Sequence, residues 1–210
     1  MGFLDSIRSA LLRLFRKKRK LRIGIYGPPN AGKTTLANRI SKDWTGEEIG
    51  TVSEVPHETR HVVEKKDIKI KIGRKGELTL DIVDTPGVAT KVDFHEFVEN
   101  YGFDPEEGRR RVKEATEGVI EAIKWLDNVD AVLLVMDSTE DPFTQVNITI
   151  LGNLEARNLP TIIVANKIDA EGASPETIKN AFPQHTVVPV SALLGYNMDE
   201  LYKTMLKKFR

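Results

Sequence analysis

The chain has 210 residues, 40% of them apolar and 30% charged, which places it among soluble globular proteins with a core large enough for one domain. With no cysteine, disulfides, thiolate metal sites and a cysteine nucleophile are excluded, and the longest apolar run of the C-terminal half, Ala131–Met136, is far too short to span a bilayer. The 31 basic and 31 acidic residues cancel overall but not locally: residues 1–22 carry eight Lys/Arg against the single acid Asp5, so a leader of +7 precedes a body of −7.

The leader, "MGFLDSIRSALLRLFRKKRK", places Phe3, Leu4, Ile7, Leu11, Leu14 and Phe15 on one helical stripe, with Arg8, Arg13 and Arg16 off it and a solid basic run behind. This predicts a basic amphipathic helix over residues 1–20 that lies on an anionic membrane surface, apolar face in lipid and cations on headgroups. The chain would then be cytoplasmic and peripheral at the inner face of the cell membrane. Packing on its own domain, a partner protein, RNA phosphates and an organellar presequence are the other readings of the same pattern. A secretory signal is disfavoured, because the charges follow the apolar residues.

Next comes "LRIGIYG" (21–27), an apolar strand, then "GPPNAGKTT", which opens a helix over 33–43. A strand before and a helix after are the context that identifies Gly27-x-x-x-x-Gly32-Lys33-Thr34 as a phosphate-binding loop. Its nucleotide-binding residues are Gly27, Pro28, Pro29, Asn30, Ala31, Gly32, Lys33, Thr34 and Thr35. The glycines let successive N–H groups face phosphate oxygens, and the helix N-terminus adds its partial positive charge. Lys33 would reach the β- and γ-phosphates, and the Thr34 hydroxyl would ligate Mg2+.

"HVVEKKDIKIKIG" (61–73) alternates apolar and charged residues from Ile68 to Ile72, as an edge strand does. "ELTLDIVD" (77–84) is again a buried strand, and it runs into "DTPG". There Asp84 can hold a water on Mg2+, and the turn at Pro86-Gly87 presents a backbone N–H, that of Gly87, to a γ-phosphate. Residues 88–118 interrupt the alternation before a helix over 106–126, and are expected to form an effector or homodimer surface, or a surface elaboration with no catalytic part.

"DAVLLVMD" (130–137), "TIIVANK" (161–167) and "HTVVPVS" (185–191) complete the strands, with helices over 143–158, 174–181 and 197–209. Strand–helix alternation with nearly continuous apolar strands predicts an α/β three-layer sandwich. Its six-stranded sheet is mostly parallel with one antiparallel edge strand, and ligands sit at the strands' carboxyl ends. "NKID" closes the fifth strand and "SAL" the sixth. The Asp169 carboxylate can accept from the ring N–H and exocyclic amine of guanine, whereas adenine offers an acceptor where guanine has the ring N–H, so GTP rather than ATP is expected. Asn166 would bond the base edge and tie the loop together, the Lys167 stem would cover the ring, and the Ala192 N–H, flanked by Ser191 and Leu193, would meet the guanine carbonyl.

In order and spacing "GPPNAGKTT", "DTPG", "NKID" and "SAL" resemble the translation-factor-like class of P-loop GTPases, most closely its Era/TrmE branch, over residues 21–210. The resemblance implies a GTP/GDP switch. "PHETRH" (56–61) looks like the first switch, with Thr59 joining Thr34 and Asp84 around Mg2+ in the GTP state. Era itself carries an RNA-binding KH domain after the GTPase domain, and this chain stops at Arg210, so ribosomal RNA binding is not carried over, although RNA contact through the leader stays open.

The residue after "DTPG" is Val88, which cannot orient water as the glutamine of many GTPases does, so slow intrinsic turnover is expected. The branch shares an apolar residue there, and Asn30 matches the asparagine that holds K+ against the phosphates in K+-activated members. Lys33, Asn30 and Thr59 are accordingly the candidate catalytic residues; an arginine donated from "RRR" (109–111) to a facing subunit is the alternative to a solvated helix start.

Overall fold

The computed structural model describes residues 20–45, 65–72, 76–83, 120 and 123–209. In chain order these form β1 (Lys20–Tyr26), α1 (Lys33–Thr45), β2 (Lys65–Ile72), β3 (Gly76–Val83), a 3-10 turn (Leu126–Asn128), β4 (Ala131–Asp137), α2 (Gln145–Ala156), β5 (Thr161–Asn166), α3 (Pro175–Ala181), β6 (Thr186–Pro189) and α4 (Met198–Lys208). Of the helix expected over 106–126, Ile120 and residues 123–125 are described and are helical.

The strands form one six-stranded sheet in the order β2-β3-β1-β4-β5-β6. β1 runs parallel to both β3 and β4, and β4, β5 and β6 continue parallel. Among the described strands only β2, at the edge, is antiparallel, with Ile68 opposite Leu80 of β3. This is the sandwich that the apolar strands and the single alternating strand anticipate.

The continuous apolar run of β4 has a direct physical cause, because both faces of the sheet are covered. Leu133 and Val135 pack with Leu36 and Ile40 of α1 and Leu201 and Met205 of α4. Val132, Leu134 and Met136 face the other way, onto Val146 and Ile150 of α2 and Ile178 of α3. At the start of α2 the Thr144 hydroxyl caps the helix, accepting from the Asn147 N–H at 3.2 Å, whereas α4 has no side-chain cap and carries Asp199 and Glu200 in its first turn and Lys207 and Lys208 in its last.

Element boundaries shift by one to a few residues from the sequence reading, and two of the shifts touch its assignments. Lys20, assigned to the leader helix, is the first residue of β1, where it stands in register with Glu77 of β3. β6 stops at Pro189, and Ser191 instead bridges Tyr196 antiparallel. Residues 1–19 lie outside the described residues, and among the described helices none is long and apolar enough to cross a membrane.

Candidate functional site

The loops that follow β1, β4, β5 and β6 leave the same edge of the sheet, because register aligns Tyr26 with Leu134, Asp137 with Asn166 and Ala165 with Pro189. The carboxyl edge of a parallel sheet is where such folds bind ligands.

The loop after β1 demands glycine at both ends. Gly27 has φ +145°, and a Cβ there would collide with the Val135 carbonyl oxygen of β4. Gly32 has φ +93°, and its Cβ would collide with the Asn166 side-chain amide. Between them Asn30, at φ 60°, takes the left-handed conformation that asparagine tolerates. Pro29 and Asn30 form the exposed tip, whereas Ala31 is buried. Lys33 opens α1 almost fully buried, its Nζ donating to the carbonyls of Gly27 at 3.0 Å and Pro28 at 2.7 Å. Thr34 and Thr35 follow, half-buried in the helix's first turn.

Asn166, the last residue of β5, joins this loop to the loop after β6. Its Nδ2 donates to the Ala31 carbonyl at 2.9 Å, and its Oδ1 accepts from the Ala192 N–H at 3.0 Å. The sequence reading gave Asn166 this tying role, but it assigned the Ala192 N–H to a guanine carbonyl. In this structure that N–H donates to Asn166 Oδ1.

Lys167 stands in the left-handed region at φ 64°, and its Nζ lies 2.5 Å from Asp137 Oδ2. Burial works to raise the Asp137 carboxyl, but the hydrogen bond from Lys167 and those from the Thr139 N–H and hydroxyl outweigh it and hold the group below the usual carboxylate value. The Ile168 N–H donates to the Val190 carbonyl at 3.3 Å, fixing the turn on which Asp169 is exposed. In the last loop Ser191 is buried, and its Oγ accepts from the Leu194 N–H at 3.0 Å.

Two contributors carried no motif. Asp137 was legible only as the polar end of an apolar run, and Arg39 as a charge on the outer face of a helix. Yet the Arg39 Nε donates to the Ala192 carbonyl at 3.0 Å, and its Nη2 donates to the Leu193 carbonyl at 2.5 Å. Thr59, Asp84, Gly87 and residues 88–118 lie outside the described residues. Of the expected Mg2+ ligands Thr34 alone is described. A threonine hydroxyl at a helix start beside a buried lysine is a hard oxygen donor of the kind Mg2+ takes, so the residue present fits the ion.

A glycine-bounded phosphate loop, cross-linked by a strand-end asparagine to the loop after β6 on a mostly parallel sheet, defines a P-loop GTPase domain. The family model described as 50S ribosome-binding GTPase matches residues 22–167, and the chain belongs to that family. It is 32% identical over 197 residues to GTPase Der of Borrelia garinii subsp. bavariensis, covering 89% of this chain and 39% of that one. With GTPase Era of Aquifex aeolicus it shares 29% identity over 194 residues, covering 88% and 55%. Among solved structures it is similar to an Aquifex aeolicus Era variant bound to GDP·AlF4−, with TM-score 0.55, 27% identity and coverage of 90% and 56%. It is also similar to Era in complex with MgGDPNP and nucleotides 1506–1542 of 16S ribosomal RNA, with TM-score 0.56, 26% identity and the same coverages. The chain thus spans roughly two fifths to just over half of the relatives it matches.

Proposed function

We propose that this chain binds GTP and GDP with Mg2+ and hydrolyses GTP to GDP and phosphate as a molecular switch. The observation that carries this reading is the two-way hydrogen bonding of Asn166, which sets the phosphate loop and the base loop at a fixed separation. The N–H groups of the loop at 27–35 bind the phosphates, and Lys33 exchanges its carbonyl contacts for β- and γ-phosphate oxygens. Thr34, with Thr59 and Asp84, would hold Mg2+, which when bound neutralises charge on the same oxygens. Gly87 offers its N–H to the γ-phosphate, and the exposed Asp169 carboxylate accepts from guanine. The Era structures with MgGDPNP and with GDP·AlF4− support the nucleotide and the ion.

Because Val88 cannot orient water, hydrolysis is organised elsewhere: by K+ at Asn30, or by a partner or second copy docking on residues 88–118. A single-turnover assay with Mg2+ and GTP in KCl tests the reading. Phosphate release above the uncatalysed rate supports it, and tight binding without release makes the chain a nucleotide-gated binding module instead.

For the site of action we favour an anionic membrane surface at the cytoplasmic side, on the strength of the leader's apolar stripe and its charge of +7. RNA or the ribosome is the second reading, favoured by the Era complex with 16S ribosomal RNA. Flotation with anionic liposomes, with and without residues 1–20, separates the two. Flotation that depends on the leader supports the membrane; no flotation, with salt-sensitive RNA binding, supports the ribosome.

A further inference from the structure

We infer that the amino edge of the sheet, where the basic leader enters β1, is the face this chain turns towards an anionic lipid surface, so that the nucleotide site at the opposite edge points away from the bilayer. The inference rests on the membrane reading of the leader and gives the folded domain a docking face of its own. The helices of a parallel α/β sandwich run back from the carboxyl edge, so their C-termini gather at the amino edge and favour basic residues there. Lys42 stands in the last turn of α1, and Lys207 and Lys208 in the last turn of α4. Lys124 lies just before the 3-10 turn that leads into β4. The Lys208 Nζ donates to the hydroxyl of Thr186, the first residue of β6, at 3.0 Å, which places the end of α4 at this edge.

The acids of this edge each have a partner within the fold. Asp127 accepts from Arg157 at 3.0 Å, Asp130 from the Arg22 N–H at 2.8 Å, and Asp43 from the Tyr202 hydroxyl at 2.7 Å, while Glu155 bonds His185 at 2.8 Å. Lys124 and Lys207, by contrast, are exposed and have no ion pair among the described residues. The loops of the carboxyl edge carry the opposite sign. Glu140, Asp141, Asp169 and Glu171 are exposed there, and none of them has an ion pair among the described residues. The leader of +7 thus joins the domain at the edge that is itself basic.

Distance turns this polarity into a pose. Charges act on a lipid surface only within about a Debye length, roughly 8–10 Å at physiological salt. Lys20, the first residue of β1, follows the leader directly, so a leader lying on the surface brings the amino edge within that range. The carboxyl edge then stands a strand's length further off, about 20 Å, where its acids are screened. In the inverted pose those acids would face the headgroups and be repelled. Attraction at one edge and repulsion at the other select the same orientation, and it leaves the nucleotide loops open to exchange.

The test uses the full chain with vesicles of one part phosphatidylserine to two parts phosphatidylcholine. Because the chain has no cysteine, Asn128→Cys at the amino edge or Glu140→Cys at the carboxyl edge takes a single fluorescent label. Nitroxide-headgroup lipid in the vesicles is expected to quench the label at position 128 and to spare the one at 140. Combining Lys124→Glu with Lys207→Glu, leader intact, is expected to weaken vesicle binding about tenfold or more and to shrink the difference between the two labels. GDP affinity should stay within about twofold, since neither lysine touches the nucleotide loops. Lys124→Gln with Lys207→Gln is expected to show about half the effect on a logarithmic scale, and supplies the comparison alone where the reversed pair does not hold its fold. Equal quenching at both positions, or more at 140, overturns the inference. So does a reversed pair that leaves both binding and quenching unchanged, because the leader would then orient the domain by itself. A full chain that does not bind these vesicles overturns the membrane reading itself, a separate and recognisable outcome.

Discussion

The Lys167 ammonium lies 2.5 Å from the Asp137 carboxylate, tying the first residue past β5 to the last residue of β4. The pair is unequally exposed, Asp137 at 11% and Lys167 at 36%, so the carboxylate is the fixed partner and the lysine stem remains at the surface, where a base would stack. Two bonds from Thr139, at 2.9 Å from its N–H and 2.8 Å from its hydroxyl, hold the carboxylate in turn.

Asp137→Asn should therefore weaken GDP binding by a factor of about 3–10 without abolishing it, read by fluorescent-nucleotide titration. It should also change the acid limb of stability. The folded carboxyl titrates below its ordinary value of 3.8, so its stabilising contribution is complete above that pH and is lost as pH falls through the folded value. The gap in melting temperature between wild type and variant should hold from neutral pH to about pH 4.5 and close below it. A gap independent of pH would show that the pair adds nothing through the carboxylate's charge.

Gly27→Ala tests the tight passage of the phosphate loop. The added methyl meets the Val135 carbonyl oxygen, which belongs to the central strand β4, and φ +145° is itself unfavourable for alanine. Neither strand can retreat without disturbing two core faces, so a loss of about 2–4 kcal/mol is expected in urea unfolding. Retention of wild-type stability would mean that the loop relocates freely.

Asn166→Asp keeps the shape of the side chain but replaces the donor facing the Ala31 carbonyl with an oxygen, while leaving an acceptor for the Ala192 N–H. Two oxygens would then oppose each other in a buried site, at a cost of about 2–4 kcal/mol. Guanine nucleotide affinity should fall by at least about a hundredfold, more than for Asp137→Asn, because the phosphate and base loops lose their common anchor. Calorimetric titration with GDP separates the two variants.

Much of this was readable in the residues because the fold repeats one rule. The nearly continuous apolar runs of β1, β4 and β5 record burial on two faces, and the charged alternation of β2 records an edge. Asn166 was legible because its strand-end position admits few roles. Arg39 was not: on its helix it looks like a solvated charge, and its partners are backbone carbonyls more than 150 positions away that no side-chain pattern marks. Likewise no side-chain pattern in "SAL" marks its Ala192 N–H as the partner of Asn166. Which N–H is committed depends on the Asn166 contact, and that is a tertiary fact.

The remaining prediction concerns K+. Asn30 stands at the exposed tip of the phosphate loop in the left-handed conformation, at φ 60°. A plain turn residue would also sit there, so position alone does not distinguish the two roles, but cation dependence does. A cation beside the phosphates would oppose the charge that develops as the β–γ bond breaks, the work an arginine finger does elsewhere. The single-turnover rate in KCl should exceed that in NaCl by about tenfold or more, a gap of at least about 1.4 kcal/mol in the barrier. Asn30→Ala should bring the two rates together while leaving GDP affinity within about threefold, because the backbone N–H groups of the loop are retained. Glycine at the same position, which adopts the left-handed turn without strain, should behave like alanine if the side-chain oxygen matters, and like wild type if only the turn does. Equal rates in the two salts for the wild type would remove Asn30 from the chemistry and leave hydrolysis to a group from residues 88–118 or a partner.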